Sequence, residues 1–167
     1  MEKKKLVINA AICDARTVSE STLEVYESIV INAATIIVSK ESNELMARYN
    51  ITMDTAQVME APSDAEILVQ NGTYEISENT VMSNPTILVV NGSLEIKKGS
   101  KQALDKFISI IVNGQVSYPS DIQEQLPKIQ VNGATDCYPG DAIRLKSKFI
   151  LDKVFIMKAK ESKYYVK

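Results

Sequence analysis

Few residues of this chain have the types and spacing that chemistry requires. Histidine is absent from its 167 residues, which removes the commonest general base and the commonest metal ligand. Asp136, Asp141 and Arg144 lie close together in sequence and resemble the carboxylates and cation of a carbohydrate-cleaving site. Because 24% of the residues are charged, such a trio is also expected by chance. We therefore predict that the chain is not an enzyme and holds no cofactor or metal.

The cysteines and one lysine-rich turn also form no convincing catalytic, metal-binding or phosphate-binding motif. Cys13 and Cys137 are too far apart in sequence for a metal-binding spacing, and the chain has no histidine to make a thiolate of Cys13. The KKGSK segment at 97–101 is a weak candidate for a phosphate-binding loop and is better explained as a solvated turn. Two isolated cysteines favour a reducing, cytoplasmic setting.

Composition limits the class of partner. Nineteen basic and 21 acidic residues give a net charge of −2, which is not the charge of a general nucleic-acid binder. No apolar run approaches the roughly 20 residues that span a bilayer, so we expect no membrane segment. With 45% hydrophobic residues, the chain can bury one core.

A repeated phrase organises the elements. Four of the six glycines directly follow an asparagine, and an apolar stretch precedes each pair. We call this polar position the anchor of the repeat, and anchors recur about every 20 residues, a period typical of solenoids. The asparagine anchors are Asn9, Asn32, Asn71, Asn91, Asn113 and Asn132. Aspartates take the same position at Asp54 and Asp152.

The pattern around each anchor predicts a strand, a corner and a second short strand. Residues one and three places before the anchor are apolar in almost every repeat, which is the period of a strand facing a core. Segments such as KESNELMARY and KQALDKF then read as short helices, whereas MEAPSDAE and SENTVMSNPT read as loops. In stacked coils the asparagines would form a structural corner ladder, each satisfying the next.

The sequence therefore predicts an α/β repeat fold. We expect a right-handed parallel β-solenoid of seven to eight coils of about 20 residues, with short helices or loops between strands. One solenoid domain would cover 1–157, and a basic C-terminal tail would cover 158–167. This succession of strand, asparagine and helix or loop resembles the leucine-rich-repeat solenoids over most of the chain, and it is similar to other parallel β-solenoids.

A hairpin fold is the alternative. Asn-Gly between apolar runs is the strongest local signal for a two-residue β-turn. With that interpretation, segments such as VVNGSLEI are antiparallel hairpins and the protein is an all-β or α+β domain. The helix-like segments between strands favour the solenoid, because parallel strands need such crossovers.

An apolar stripe is the candidate binding surface. The position two places before the anchor should face solvent, yet it is aliphatic in six of eight repeats. The stripe consists of Val7, Val30, Val69, Val89, Ile111 and Ile150. It is either an open contact surface or a second buried face of a parallel sheet.

Three functions follow from this stripe and from the absence of polar capping repeats. The first is a non-catalytic protein-interaction or scaffold module that binds through the stripe. The second is a structural protein that self-associates through uncapped ends into a homo-oligomer. The third is a carbohydrate-binding or carbohydrate-cleaving solenoid. We expect a protein partner or self-association, with no nucleic acid and no membrane.

Overall fold

A computed structural model describes residues 4–142 of the chain. Most of these residues lie in seven strands, and no peptide bond among them is cis. The strands are β1 (Lys4–Asp14), β2 (Tyr26–Val38), β3 (Ile51–Glu60), β4 (Glu66–Ile76), β5 (Thr86–Ile96), β6 (Phe107–Pro119) and β7 (Lys128–Tyr138).

Short helices separate several of the strands. They are α1 (Glu20–Leu23), α2 (Lys40–Met46), α3 (Lys101–Leu104) and one 3-10 helix (Ser120–Gln125). Ser39 caps α2, because its side chain accepts a hydrogen bond from the backbone N–H of Ser42 while the Ser42 hydroxyl binds the Ser39 N–H. The connections after β3 and β4 contain no helix, as the two proline-containing loops predict.

The strands form two parallel sheets. One has the order β1-β2-β3 and the other has the order β4-β5-β6-β7. The chain divides into two compact units on the same boundary, Met1–Ala65 and Glu66–Lys167. We call these unit 1 and unit 2.

The prediction of one solenoid of seven to eight coils is wrong. The described strands form two separate small sheets of three and four strands, with few helices, which makes this a small α/β or β architecture. The hairpin alternative is also wrong for these strands, because all five pairings are parallel. The single domain proposed for 1–157 and the tail at 158–167 extend beyond the described residues and stay predictions.

The anchors lie opposite one another on neighbouring strands. Asn9 pairs with Asn32, which pairs with Asp54. In unit 2 the aligned anchors are Asn71, Asn91, Asn113 and Asn132. The anchors do not separate two strands, however, because each strand continues through its anchor. Asp152 lies outside the described residues.

Each unit has its own hydrophobic cluster, built from the strand positions that flank the anchors. In unit 1 the buried side chains include Ile29, Ile31 and Ile36. In unit 2 they include Leu88, Val90, Ile110 and Val112, all with no exposed surface. Side chains on one face of each sheet therefore supply the core, as the period-two pattern requires.

Candidate interaction surface

Strand β1 forms an edge of the sheet in unit 1. It pairs with β2 on one side, and no strand within residues 4–142 pairs with its other side. Val7, near the middle of the apolar run of β1, is 57% exposed, and its neighbours Leu6 and Ile8 are half-buried. An edge strand with apolar side chains and unpaired backbone groups is a template for pairing with another chain.

The predicted apolar stripe is partly open and partly covered. Val7 aligns with Val30 in unit 1, and Val69, Val89 and Ile111 align in unit 2. Val69 is 46% exposed, whereas Val89 and Ile111 are 4% and 3% exposed. Val89 and Ile111 thus belong to a second buried face of the sheet, which leaves Val7 and Val69 as its exposed members.

The remaining stripe residues add little to this surface. Val30 is half-buried beside Val7. The position is polar on β3 and β7, where Thr52 and Gln130 occupy it. Ile150 lies outside the described residues. The structure therefore brings the predicted residues together within each sheet, but it does not leave them all accessible.

The asparagine ladder predicted from sequence is present in both units. In unit 2 the side-chain amide of each asparagine donates to the Oδ1 of the preceding one, at 2.8–2.9 Å. In unit 1, Asn32 Nδ2 donates to Asn9 Oδ1 at 2.8 Å. That ladder ends at Asn32, because Asp54 has no N–H group in its side chain to continue it.

All hydrogen bonds of the ladder run from one asparagine to the preceding one, so the first and last asparagines differ in their free groups. Asn9 uses its Oδ1 to accept from Asn32, and no described residue accepts from its Nδ2. In unit 2 the equivalent group of every later asparagine faces the preceding strand. The amide of Asn9 therefore presents a hydrogen-bond donor at the outer edge of β1.

Glycines follow the anchors of unit 2 because the strands approach closely there. Gly114 has φ +148°, and a Cβ at this position would lie 1.9 Å from the carbonyl oxygen of Gly92. Gly92 and Gly133 make the same approach to the strands before them. In unit 1 the same repeat position holds Ala10, Ala33 and Thr55, which have ordinary φ angles. The two sheets thus use different backbone conformations at one repeat position.

Arg16 holds the end of β1 in place. This role was not predicted from the sequence. The Arg16 guanidinium, in a side chain only 8% exposed, makes two hydrogen bonds of 2.9 Å to the Asp14 carboxylate. It also donates to the carbonyl oxygens of Pro62 and Ala65, at 2.7 and 2.6 Å. The hydrogen bonds from Arg16 hold the pKa of Asp14 below its ordinary value. The Asp-x-Arg spacing at a strand end was the available signal.

The structure describes only two residues of the candidate catalytic trio, so it does not show the three together. Asp141 is exposed, Asp136 is half-buried, and Arg144 lies outside the described residues. Among residues 4–142 no group of three or more acidic or cysteine side chains is arranged to hold a metal ion. Both cysteines are free thiols.

Two of the three lysines of the KKGSK segment form ion pairs with carboxylates. Lys97 forms ion pairs with Glu95 and Glu75, and Lys98 lies 2.8 Å from Asp121. Asp121 raises the pKa of Lys98 through this contact. The segment is therefore an ion-paired turn, which agrees with the interpretation made from sequence.

No family model, curated protein or solved structure matches this chain. The resemblance to leucine-rich repeats therefore stays a prediction. In the part of the chain that the structure describes, no helix has both the length and the apolar character needed to cross a membrane.

Proposed function

We propose that this chain is a non-catalytic protein-interaction module that contacts its partner through the outer edge of β1. The observation that carries the proposal is the exposed Val7 on an edge strand of 11 residues. Exposed strand edges recognise extended peptides by adding a strand, with backbone hydrogen bonds giving affinity and side chains giving specificity. We also propose a cytoplasmic location, which the two free thiols support.

The end of the asparagine ladder adds a feature of the partner. A parallel strand added in register with β1 would bring a residue opposite Asn9, whose amide offers a donor. An asparagine, glutamine or aspartate at that point would accept from it, as the aligned asparagines do within each unit. The partner segment would also place an apolar side chain beside the exposed Val7.

Site-specific photocrosslinking of the full chain in cells tests this proposal. A benzophenone side chain placed at residue 7 should form an adduct with one protein. Val25 provides a matched control, because it is also 57% exposed but lies before β2 rather than on β1. The V7K substitution should abolish the complex with that protein, whereas V25K should preserve it.

Two results would contradict the proposal. One is the absence of any adduct from residue 7. The other is the same set of adducts from residues 7 and 25, which would indicate that exposure alone determines capture. The identity of the adduct, either another protein or a second copy of this chain, separates a hetero-complex from self-association.

End-to-end self-assembly is the second candidate, and the ladder favours it. The Oδ1 of Asn132 has no donor among the described residues, so it complements the amide of Asn9 in a second copy. Two contacts oppose this arrangement. Lys128 of one copy would face Lys5 of the other, and Ala10 would place a Cβ where the strands of unit 2 admit only glycine. Light scattering over a concentration series should show a closed species, and unlimited growth would favour self-assembly.

A further inference from the structure

Unit 1 contains an apolar cavity that its own described side chains leave open. The cavity has a volume of about 300 Å³. Its walls come from the inner face of the three strands, from α1 and from the segments beside them. The apolar side chains that line it include Leu6, Ile8, Leu23, Ile29, Met46 and Ile51. The cavity is partly open to solvent, so its apolar walls are in contact with water, and a small apolar ligand would remove that surface from water.

The polar groups of the cavity are few. Cys13, Asp14, Thr17 and Thr22 line it, together with Tyr26. Burial, and secondarily the charge of Asp14, raise the pKa of the Cys13 thiol. Near neutral pH this thiol is therefore uncharged and is not a nucleophile. A mostly apolar cavity with a small set of polar groups is typical of small-molecule sites.

Charge decides which class of small molecule fits. No lysine or arginine side chain is among the described lining residues, and the only charged group is the Asp14 carboxylate. Arg16 neutralises that carboxylate with two hydrogen bonds, but the carboxylate oxygens keep lone pairs that can accept from a hydroxyl. An anionic head group would find no cation in the cavity and would face Asp14.

We propose that this cavity binds a small, uncharged aliphatic molecule with a terminal hydroxyl group. The aliphatic part lies against Leu6, Ile8 and Ile29, and the hydroxyl lies near Asp14. Because a water molecule occupies about 30 Å³ of liquid, the volume corresponds to roughly ten non-hydrogen atoms. 1-Octanol, a linear aliphatic alcohol, is a suitable probe, and octanoate is the anionic counterpart of the same chain length.

The experiment measures protection of Cys13 in the full chain. Replacing Cys137, which is exposed, with serine leaves Cys13 as the single thiol, and its rate of modification by a disulfide reagent reports access to the cavity. We expect 1-octanol to slow the reaction in a saturable way, with a dissociation constant of about 1 mM or lower. Octanoate should require at least a tenfold higher concentration for the same protection.

Two neighbouring residues of α1 provide a matched pair of variants. Thr22 lines the cavity, whereas Ser21 does not, and the hydroxyl of each lies within hydrogen-bond distance of Ser19 Oγ. T22F should fill the space and remove the effect of 1-octanol, and S21F should leave the effect unchanged. Unfolding curves for both variants show whether they keep the fold.

Three outcomes would overturn the proposal. The first is a Cys13 thiol whose reaction rate, at an alkaline pH that ionises it, does not change with 1-octanol, which would mean that the alcohol does not occupy the cavity. The second is equal protection in T22F and S21F, which would place the alcohol elsewhere. The third is protection by octanoate at the same concentration as 1-octanol, which would contradict the assignment to an uncharged ligand.

Discussion

Arg16 connects the end of β1 to the segment that follows β3. Its guanidinium uses Asp14 on one side and the carbonyl oxygens of Pro62 and Ala65 on the other. A lysine has one compact charged group and could not keep this arrangement of donors. The planar donor geometry of arginine therefore explains why one side chain can fix two segments of unit 1.

The ion pair with Arg16 makes the stability of unit 1 depend on pH. Since the pKa of Asp14 is lowered from its ordinary value of 3.8 in the folded chain, the unfolded chain binds more protons in acid. The stabilisation is fully present above the ordinary value, and it is lost as pH falls through the lowered pKa. Because Asp14 is 42% exposed, we expect the change to stay below about 1 kcal/mol.

The D14N variant isolates this effect. Urea unfolding of both proteins should show wild type more stable than D14N near neutral pH, and the two free energies of unfolding should converge as pH falls through the lowered pKa of Asp14. Below the lowered pKa the Asp14 carboxyl is protonated in both the folded and the unfolded wild-type chain, so its ionisation no longer contributes. A difference that does not begin to shrink as pH falls below the ordinary value of 3.8 would show that the ion pair contributes no pH dependence.

At the scale of the strand, the close approach of backbones in unit 2 predicts unequal effects of two glycine substitutions. G114A would force a Cβ to within 1.9 Å of the Gly92 carbonyl oxygen, so the strands must separate. We expect a loss of at least about 3 kcal/mol. Gly72 has φ +98° but open space around it, so G72A should cost only about 1–2 kcal/mol of backbone strain. Urea unfolding measures both, and equal costs would contradict the close approach.

The alignment of strands was predictable, but the division into two sheets was not. Asparagine spacing alone predicted which residues pair, because identical amides bond to one another only when they lie side by side. The sheet ends where the repeat changes from Asp54 with Thr55 to Asn71 with Gly72. Sequence spacing does not reveal the φ angle after an anchor, so it could not show that alanine or threonine strands and glycine strands have different geometries.

The exposed surface was predictable only in part for a related reason. The aliphatic residues two places before each anchor could be identified from sequence, but their burial depends on what packs over the second face of a sheet. Val7 and Val69 are exposed, while Val89 and Ile111 are buried. A pattern that is apolar on both faces predicts a parallel sheet without showing which of its positions are covered.

At the scale of the whole molecule, the separate clusters of the two units predict a local response to a disruptive substitution. I110K places a charge in the hydrophobic cluster of unit 2, at a position with no exposed surface. We expect a loss of several kcal/mol, a large part of the 5–15 kcal/mol that stabilises a typical domain. V69K, at a 46% exposed position of unit 2, should change stability by no more than about 0.5 kcal/mol.

Hydrogen exchange followed by mass spectrometry measures where the stability is lost. In I110K, the peptides of β4 to β7 should lose protection, because their side chains form the cluster that the new charge disrupts. The peptides of β1 to β3 should keep protection, because a different set of side chains forms their cluster. If protection fell equally in all seven strands, the two clusters would unfold as one cooperative unit. That result would contradict the prediction that the two units, divided at residues 65 and 66, differ in stability.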